Sequence, residues 1–186
     1  MLFSPALYEV GFATLAGLPY LKHGLDLFLA RNRELLRPEQ TFHGSLTILL
    51  PVWNEAKILE QKLENLVETC QDFRPNLVII DSASTDDSVS IIERWNGKDS
   101  FASFQLLRMD ERKGKTAAVK RALEHINHSH KSDLILMTDA DALFESNTVS
   151  NLLKWFSDSS IGCVGATPKR IGQRMEEAGH RSMFSM

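Results

Sequence analysis

The chain has 186 residues, 43% of them hydrophobic and 24% charged, with a formal net charge of −3 at pH 7. That size and balance describe one folded globular domain with room for a real core, and the weak negative charge excludes a nucleic-acid-binding surface, which needs a strong basic excess. The two cysteines, Cys70 and Cys163, each sit in an apolar stretch, as buried thiols in a reducing compartment do and members of a disulfide framework do not.

The first 40 residues differ in composition from the rest and read as a separate element, 1–40, ahead of a domain at 41–186. Residues 10–21 are uncharged, bounded by Glu9 on one side and by Lys22, His23 and Asp26 on the other. A spanning helix needs about 20 apolar residues. From Leu18 the pattern turns amphipathic, with Leu18, Leu21, Leu25, Phe28 and Leu29 on one helical face, and Arg31, Arg33 and Arg37 follow. Basic residues after an apolar segment belong on the cytoplasmic side of a membrane. Membrane association is therefore expected, through a short spanning helix or an interfacial one, with the domain on the cytoplasmic side or in the cytoplasm. A helix packed on the domain or on a partner chain is the alternative. No basic residue precedes the apolar stretch, which argues against a signal peptide.

From Ser45 strand and helix patterns alternate. An apolar strand at 46–50 is closed by Pro51, and Ile58, Leu59, Leu63, Leu66, Val67 and Cys70 then recur at helical spacing. Residues 77–80 form a second strand, stopped at Asp81, and Ser84-Thr85-Asp86-Asp87 opens a helix that turns Val89, Ile92 and Trp95 inward. A third strand spans 104–109. The next buried stripe is Ala118, Val119, Ala122, Leu123 and Ile126, and His125, His128 and His130 fall at its end as a solvated helix terminus rather than a ligand set. Residues 134–137 read as a fourth strand buried on both faces. Ser146 caps a helix bearing Val149, Leu152, Leu153 and Phe156, and 161–166 read as a fifth strand.

Such repeated units imply an α/β fold: a mainly parallel sheet with helices on both faces. Right-handed crossovers bring every strand-to-helix loop to one sheet edge, where ligands bind. That edge gathers Asn54 and Glu55, then Asp81 and Ser84, then Arg112, Lys113 and Lys115, then Asp139 and Asp141. The mix suits a cation, a diphosphate and a sugar-like array of hydroxyls.

Asp139 and Asp141 stand at i, i+2 after the fourth strand. If the chain stays extended they project to one side, roughly 7 Å apart at Cα, and their oxygens suit Mg²⁺ or Mn²⁺ with positions left for a diphosphate. Taken alone, a strand-end turn is as good a reading; the convergence of four loops favours the metal. Glu55 is a ribose or base acceptor, or an acid in the first turn of a helix. Asp81 is an acceptor for a nucleobase imide, or an Asx turn. Lys115 sits at a helix start, where the dipole disfavours a cation unless an anion compensates. A phosphate fits that role, and the alternative is a solvated basic loop paired with Asp110 and Glu111.

Pro51-Val52-Trp53-Asn54-Glu55, Asp81-Ser82-Ala83-Ser84-Thr85-Asp86, Arg112-Lys113-Gly114-Lys115 and Asp139-Ala140-Asp141, in that order over about 45–167, resemble the motifs of family-two glycosyltransferases of the GT-A fold. The resemblance implies a nucleotide-diphosphate sugar donor and a divalent cation, Mn²⁺ or Mg²⁺. Asp81 would face the base, Pro51 and Glu55 would line the nucleoside, and Lys115 would lie near the diphosphate. Asp139 would contact ribose or metal, and Asp141 would ligate metal.

The chain departs from that pattern at Ser82 and Ala83, where a second Asp and a Gly are frequent, and at Lys120, where Asn is. Beyond Thr167 a short polar stretch leads into a helix-like pattern at 174–186, with Glu176 and Glu177 the only late acids. The domain thus reads as truncated at its C-terminus and no catalytic base is assigned. The expectation is the donor-binding half of an inverting, metal-dependent transferase whose acceptor is a lipid, polysaccharide or protein. A haloacid-type phosphatase and a non-catalytic nucleotide-sugar-binding module are the rivals.

Overall fold

A computed structural model describes residues 5–30, 42–129 and 132–168; Arg31, Arg33, Arg37, His130, Glu176 and Glu177 fall outside them. The chain divides into two compact units, Met1–Arg37 and Pro38–Met186. In the first, helix α1 (Pro5–Ala30) runs through Pro19. It exposes Leu18, Leu21, Leu25 and Phe28, and Lys22 pairs with Asp26 at 3.1 Å one turn on. No described helix is long and apolar enough to cross a membrane.

Among its described residues the second unit has four strands, β1 (Leu46–Val52), β2 (Asn76–Asp81), β3 (Ser103–Arg108) and β4 (Leu134–Met137), all parallel in the order β3-β2-β1-β4. Between them run α2 (Ala56–Cys70), α3 (Ser88–Trp95) and α4 (Lys115–Ser129), and α5 (Thr148–Lys154) follows β4. Alternation along the strands sends Ile48, Leu50, Leu77 and Ile79 to one face, against Leu59, Leu63 and Leu66 of α2, Ile92 of α3 and Val149 and Leu153 of α5. Leu49, Val78 and Ile80 face the other way, against Ala118, Ala122 and Ile126 of α4. Each large side chain buried this way contributes about 1.5–3 kcal/mol.

The α/β reading with helices on both faces holds. Strand β1 runs on through Pro51, which pairs in register with Ile80. The N–H that proline lacks would lie on the β4 side, like the groups of Ser45 and Leu49 that bond β4. The β1–β4 register ends at Leu49 and Met137, so no ladder bond is lost.

Five expectations are corrected. β4 is not buried on both faces, since Ile135 and Met137 are 40% and 54% exposed; among the described strands β4 lies at the sheet edge. Residues 161–166 form no strand, and Cys163 among them is exposed, unlike the buried Cys70. Asn147 rather than Ser146 precedes α5 as its N-cap. His125 is held within the fold by Gln105 at 2.6 Å instead of lying in solvent.

Sequential strands step outward from β1 to β3, and the chain then crosses back to place β4 on the far side of β1. That reversal between β1 and β4 is the switch point at whose C-terminal edge a crevice opens.

Candidate functional site

The loops after β1 and β2 are bolted together by their own polar side chains. Asn54 and Ala83 both adopt left-handed backbone, with φ of 55° and 58°, and turn their loops toward each other. The Asn54 amide donates to Ser84 Oγ at 3.0 Å, and Asn54 Oδ1 accepts from the Thr85 amide at 2.8 Å. The Glu55 amide donates to Ser88 Oγ at 2.9 Å and the Ala56 amide to Asp86 Oδ2 at 3.0 Å. Burial works against the charge on Asp86, but hydrogen bonds from Ser88 and the Ala56 and Ser88 amides outweigh it and hold this carboxyl below its usual range. The first amide of α2 and that of its N-cap residue Glu55 are thus satisfied from the neighbouring loop, and Glu55 makes no side-chain cap bond.

Asp81 ends β2 and is 1% exposed. Its two carboxylate oxygens accept from the Ser84 amide at 3.3 and 3.2 Å, a local turn of the kind short polar side chains make. The next residue, Ser82, donates its amide to Val52 O at 2.9 Å. Its Oγ is the one buried side-chain polar atom among the described residues with no hydrogen-bond partner.

After β3, Gly114 (φ 85°) leads into α4, whose first residue is Lys115. The guanidinium carbon of Arg112 sits 3.2 Å from the centroid of the Trp53 ring, a cation–π stack across two loops. Lys113 takes the local partner, Glu111, at 2.8 Å. Lys115 reaches across instead and bonds Asp139 Oδ1 at 2.5 Å. The anion that offsets a cation at this helix start is, within the protein, an aspartate from the far wall.

Past β4 the chain does not stay extended. The Thr138 amide still donates to Leu49 O at 3.2 Å, but Ala140 and Asp141 form a turn closed by the Ala142 amide on Asp139 O at 3.3 Å. Ala140 is buried, while Asp139 and Asp141 stand exposed on either side of it.

These loops enclose a cleft of about 240 Å³, walled by Pro51, Val52, Trp53 and Glu55 after β1, by Ser82 after β2, by Arg112, Gly114, Lys115 and Ala118 at the start of α4, and by Asp139, Ala140 and Asp141. Of the residues singled out from sequence, Pro51, Glu55, Lys115, Asp139 and Asp141 meet there. Asn54, Asp81 and Ser84 are not in its walls; they hold the loops from behind. Arg112, gathered at this edge from sequence, lines the cleft as well, and Trp53 and Ser82 join it without having been singled out, though both lie inside the motifs.

The cleft concentrates negative charge. Burial raises the Glu55 carboxyl above its ordinary range, and Asp141, Asp86 and Asp139 add to the rise. Among the described residues no three His, Cys, Asp or Glu side chains form a ready cation cage. The carboxylate oxygens of Asp139 and Asp141 nevertheless suit a hard divalent ion, with Lys115 the cation that pairs with Asp139 within the protein.

The profile of glycosyl transferase family 2 matches residues 47–185. Among solved structures, the mannosyltransferase PcManGT of Pyrobaculum calidifontis, in complex with GDP-Man and Mn²⁺, is 32% identical with a TM-score of 0.65, covering 87% of this chain and 47% of that one. A dolichyl-phosphate beta-glucosyltransferase of Dictyostelium discoideum is 24% identical over 129 residues, 64% of this chain and 38% of its own length. An undecaprenyl-phosphate 4-deoxy-4-formamido-L-arabinose transferase of Pseudomonas syringae is 26% identical over 111 residues, 59% of this chain and 32% of its own length. The chain therefore spans less than half the length of these relatives.

Proposed function

The chain belongs to glycosyl transferase family 2, and on that footing we propose that it forms the donor-binding half of an enzyme moving a sugar from a nucleoside diphosphate to an acceptor hydroxyl or phosphate. The observation that carries this reading is the cleft at the β1/β4 crossover, where Glu55, Lys115, Asp139 and Asp141 meet. Pro51 and Glu55 line the nucleoside, and Asp81 with the loop bolted by Asn54 and Ser84 shapes the pocket for the base. Lys115 would turn from Asp139 to the diphosphate, and Asp139 and Asp141 are the residues that would hold a divalent cation.

Mn²⁺ or Mg²⁺ held by Asp139 and Asp141 would supply positive charge against that developing on the leaving diphosphate. The chain's own residues hold and orient the donor so that its anomeric carbon faces the acceptor, and attack from the opposite side inverts that centre. We assign no general base within this chain. Relatives named for dolichyl and undecaprenyl phosphate support a lipid-linked acceptor, and the exposed leucines of α1 support work at a membrane surface. Family membership replaces the phosphatase alternative.

The test is a calorimetric titration of UDP and GDP, with and without Mn²⁺, into the wild-type chain and Asp141→Ala. Affinity should depend on metal in the wild type and lose that dependence in the variant. Equal, metal-independent affinity in both would overturn the reading.

A further inference from the structure

Behind the Asp139–Asp141 turn, helix α2 carries a lysine with no access to solvent. Lys62 is 0% exposed. Its Nζ donates to Thr138 Oγ1 at 2.8 Å and to the carbonyl oxygen of Ala142, and lies 4.2 Å from the centroid of the Phe144 ring. One turn along α2, Asn65 takes both backbone groups of Phe144: its Nδ2 donates to Phe144 O at 2.9 Å, and its Oδ1 accepts from the Phe144 amide at 2.8 Å. Anchors at 138, 142 and 144 bracket the turn that presents the two aspartates.

The helix has an apolar solution available at position 62, since Leu59, Leu63 and Leu66 around it are all buried. A buried ammonium is seldom the most stable choice for such a position, because desolvation opposes it. Its hydrogen bonds go to the loop that carries Asp139 and Asp141, which points to a role in that loop rather than in the core.

We infer that Lys62 and Asn65 are positioning residues: together they lock the backbone from Thr138 to Phe144, so that the turn presenting Asp139 and Asp141 keeps its shape before any ligand arrives and Lys115 has only to yield Asp139. This rests on the metal-assisted donor reading above. Groups that orient ligands from behind typically change metal affinity 10–100-fold. The sign of the effect separates positioning from plain electrostatics. Lys62 carries positive charge near both aspartates, so deleting it should strengthen cation binding if charge alone mattered, and weaken it if the loop loses its geometry.

The experiment compares wild type, Lys62→Met, Asn65→Ala and a destabilised control from the same helix, Leu66→Ala, all well below their unfolding temperatures. Two readouts are taken: Mn²⁺ binding by electron paramagnetic resonance in the presence of UDP or GDP, and amide hydrogen exchange over 139–144. Lys62→Met and Asn65→Ala should each lose 10–100-fold in Mn²⁺ affinity and exchange the loop amides faster, with metal-free nucleotide affinity within about threefold of wild type. Leu66→Ala should leave both readouts near wild type. Unchanged loop exchange in the Lys62 and Asn65 variants would overturn the inference, as would tighter Mn²⁺ binding by Lys62→Met or an equal loss in Leu66→Ala. If the wild type itself binds no Mn²⁺ with nucleotide, the donor reading fails and cation positioning fails with it, while the exchange data still decide whether the clamp holds the loop.

Discussion

Burying Lys62 has a thermodynamic signature that can be read from stability alone. Desolvation lowers its ammonium from an ordinary 10.5 to about 8, against the opposing pull of Cys70, Asp139 and Asp141. The unfolded chain keeps its proton until pH 10.5, whereas the folded chain gives it up near pH 8, so between those values the unfolded state binds more protons and stability rises with pH. Below pH 8 the full cost is present. At roughly 1.4 kcal/mol per tenfold change in a proton equilibrium, the gap from 10.5 to 8 is worth on the order of 3 kcal/mol. Most of that, about 2 kcal/mol, is recovered between pH 8 and pH 10. The measurement is urea unfolding followed by tryptophan fluorescence at pH 7, 8, 9 and 10, on wild type and Lys62→Met. Other titrating groups are common to both chains, so the difference in unfolding free energy isolates the lysine. Wild type should gain about 2 kcal/mol on the variant across the upper window. Parallel curves would refute the reasoning and mean that the ammonium is solvated.

Two further outcomes are expected. Lys115→Ala should weaken nucleoside-diphosphate binding by about 1–3 kcal/mol, the range for a charge-assisted hydrogen bond, and leave the free nucleoside nearly unaffected; an equal loss for both ligands in calorimetry would make the lysine structural. Ala83→Gly relieves a left-handed residue at φ 58°, a strain of about 1–2 kcal/mol. Part of that gain is offset by the greater freedom of glycine in the unfolded chain. A net stabilisation of about 0.5–1 kcal/mol in urea unfolding should result, and a destabilised variant would contradict it.

Four strands and the helices between them were legible because period-two and period-3.6 apolar patterns alternate with little slack, and those patterns fix which loops share an edge. What escaped has physical causes. The run at 161–166 has the composition of a strand but carries Gly162 and Gly165, which weaken one, and apolar content does not tell which sheet edge would receive it. Ile135 and Met137 look like core for the same reason: a pattern records preference for burial, not whether a helix lies overhead. Asn54 and Ser84 were placed at the right edge, yet their side chains point into the neighbouring loop because the backbone turns left-handed at Asn54 and Ala83, a local choice that neither residue type dictates. Lys62 carried a readable signal. It lies three residues from Leu59 and four from Leu66, inside the apolar stripe of α2, and a charge on a buried stripe requires partners.

Two of the cleft's three acids, Asp139 and Asp141, follow the shortest described strand of the sheet. β4 has four residues and pairs only with β1 among the described strands, and its start is fastened by Ser45 and Asp133, 88 residues apart in the chain. Closing so long a loop is entropically costly and leaves β4 to dock late in folding, after β1, β2 and β3 have assembled through shorter connections. The same strand should be the first to open in native-state fluctuations, taking Asp139 and Asp141 with it while the remaining ladder stays intact. Any ligand that needs those carboxylates binds the closed form alone, so occupancy at 100 times its Kd would add about 2.7 kcal/mol to this one edge. A ligand of those carboxylates would then hold this edge of the sheet closed in proportion to its concentration.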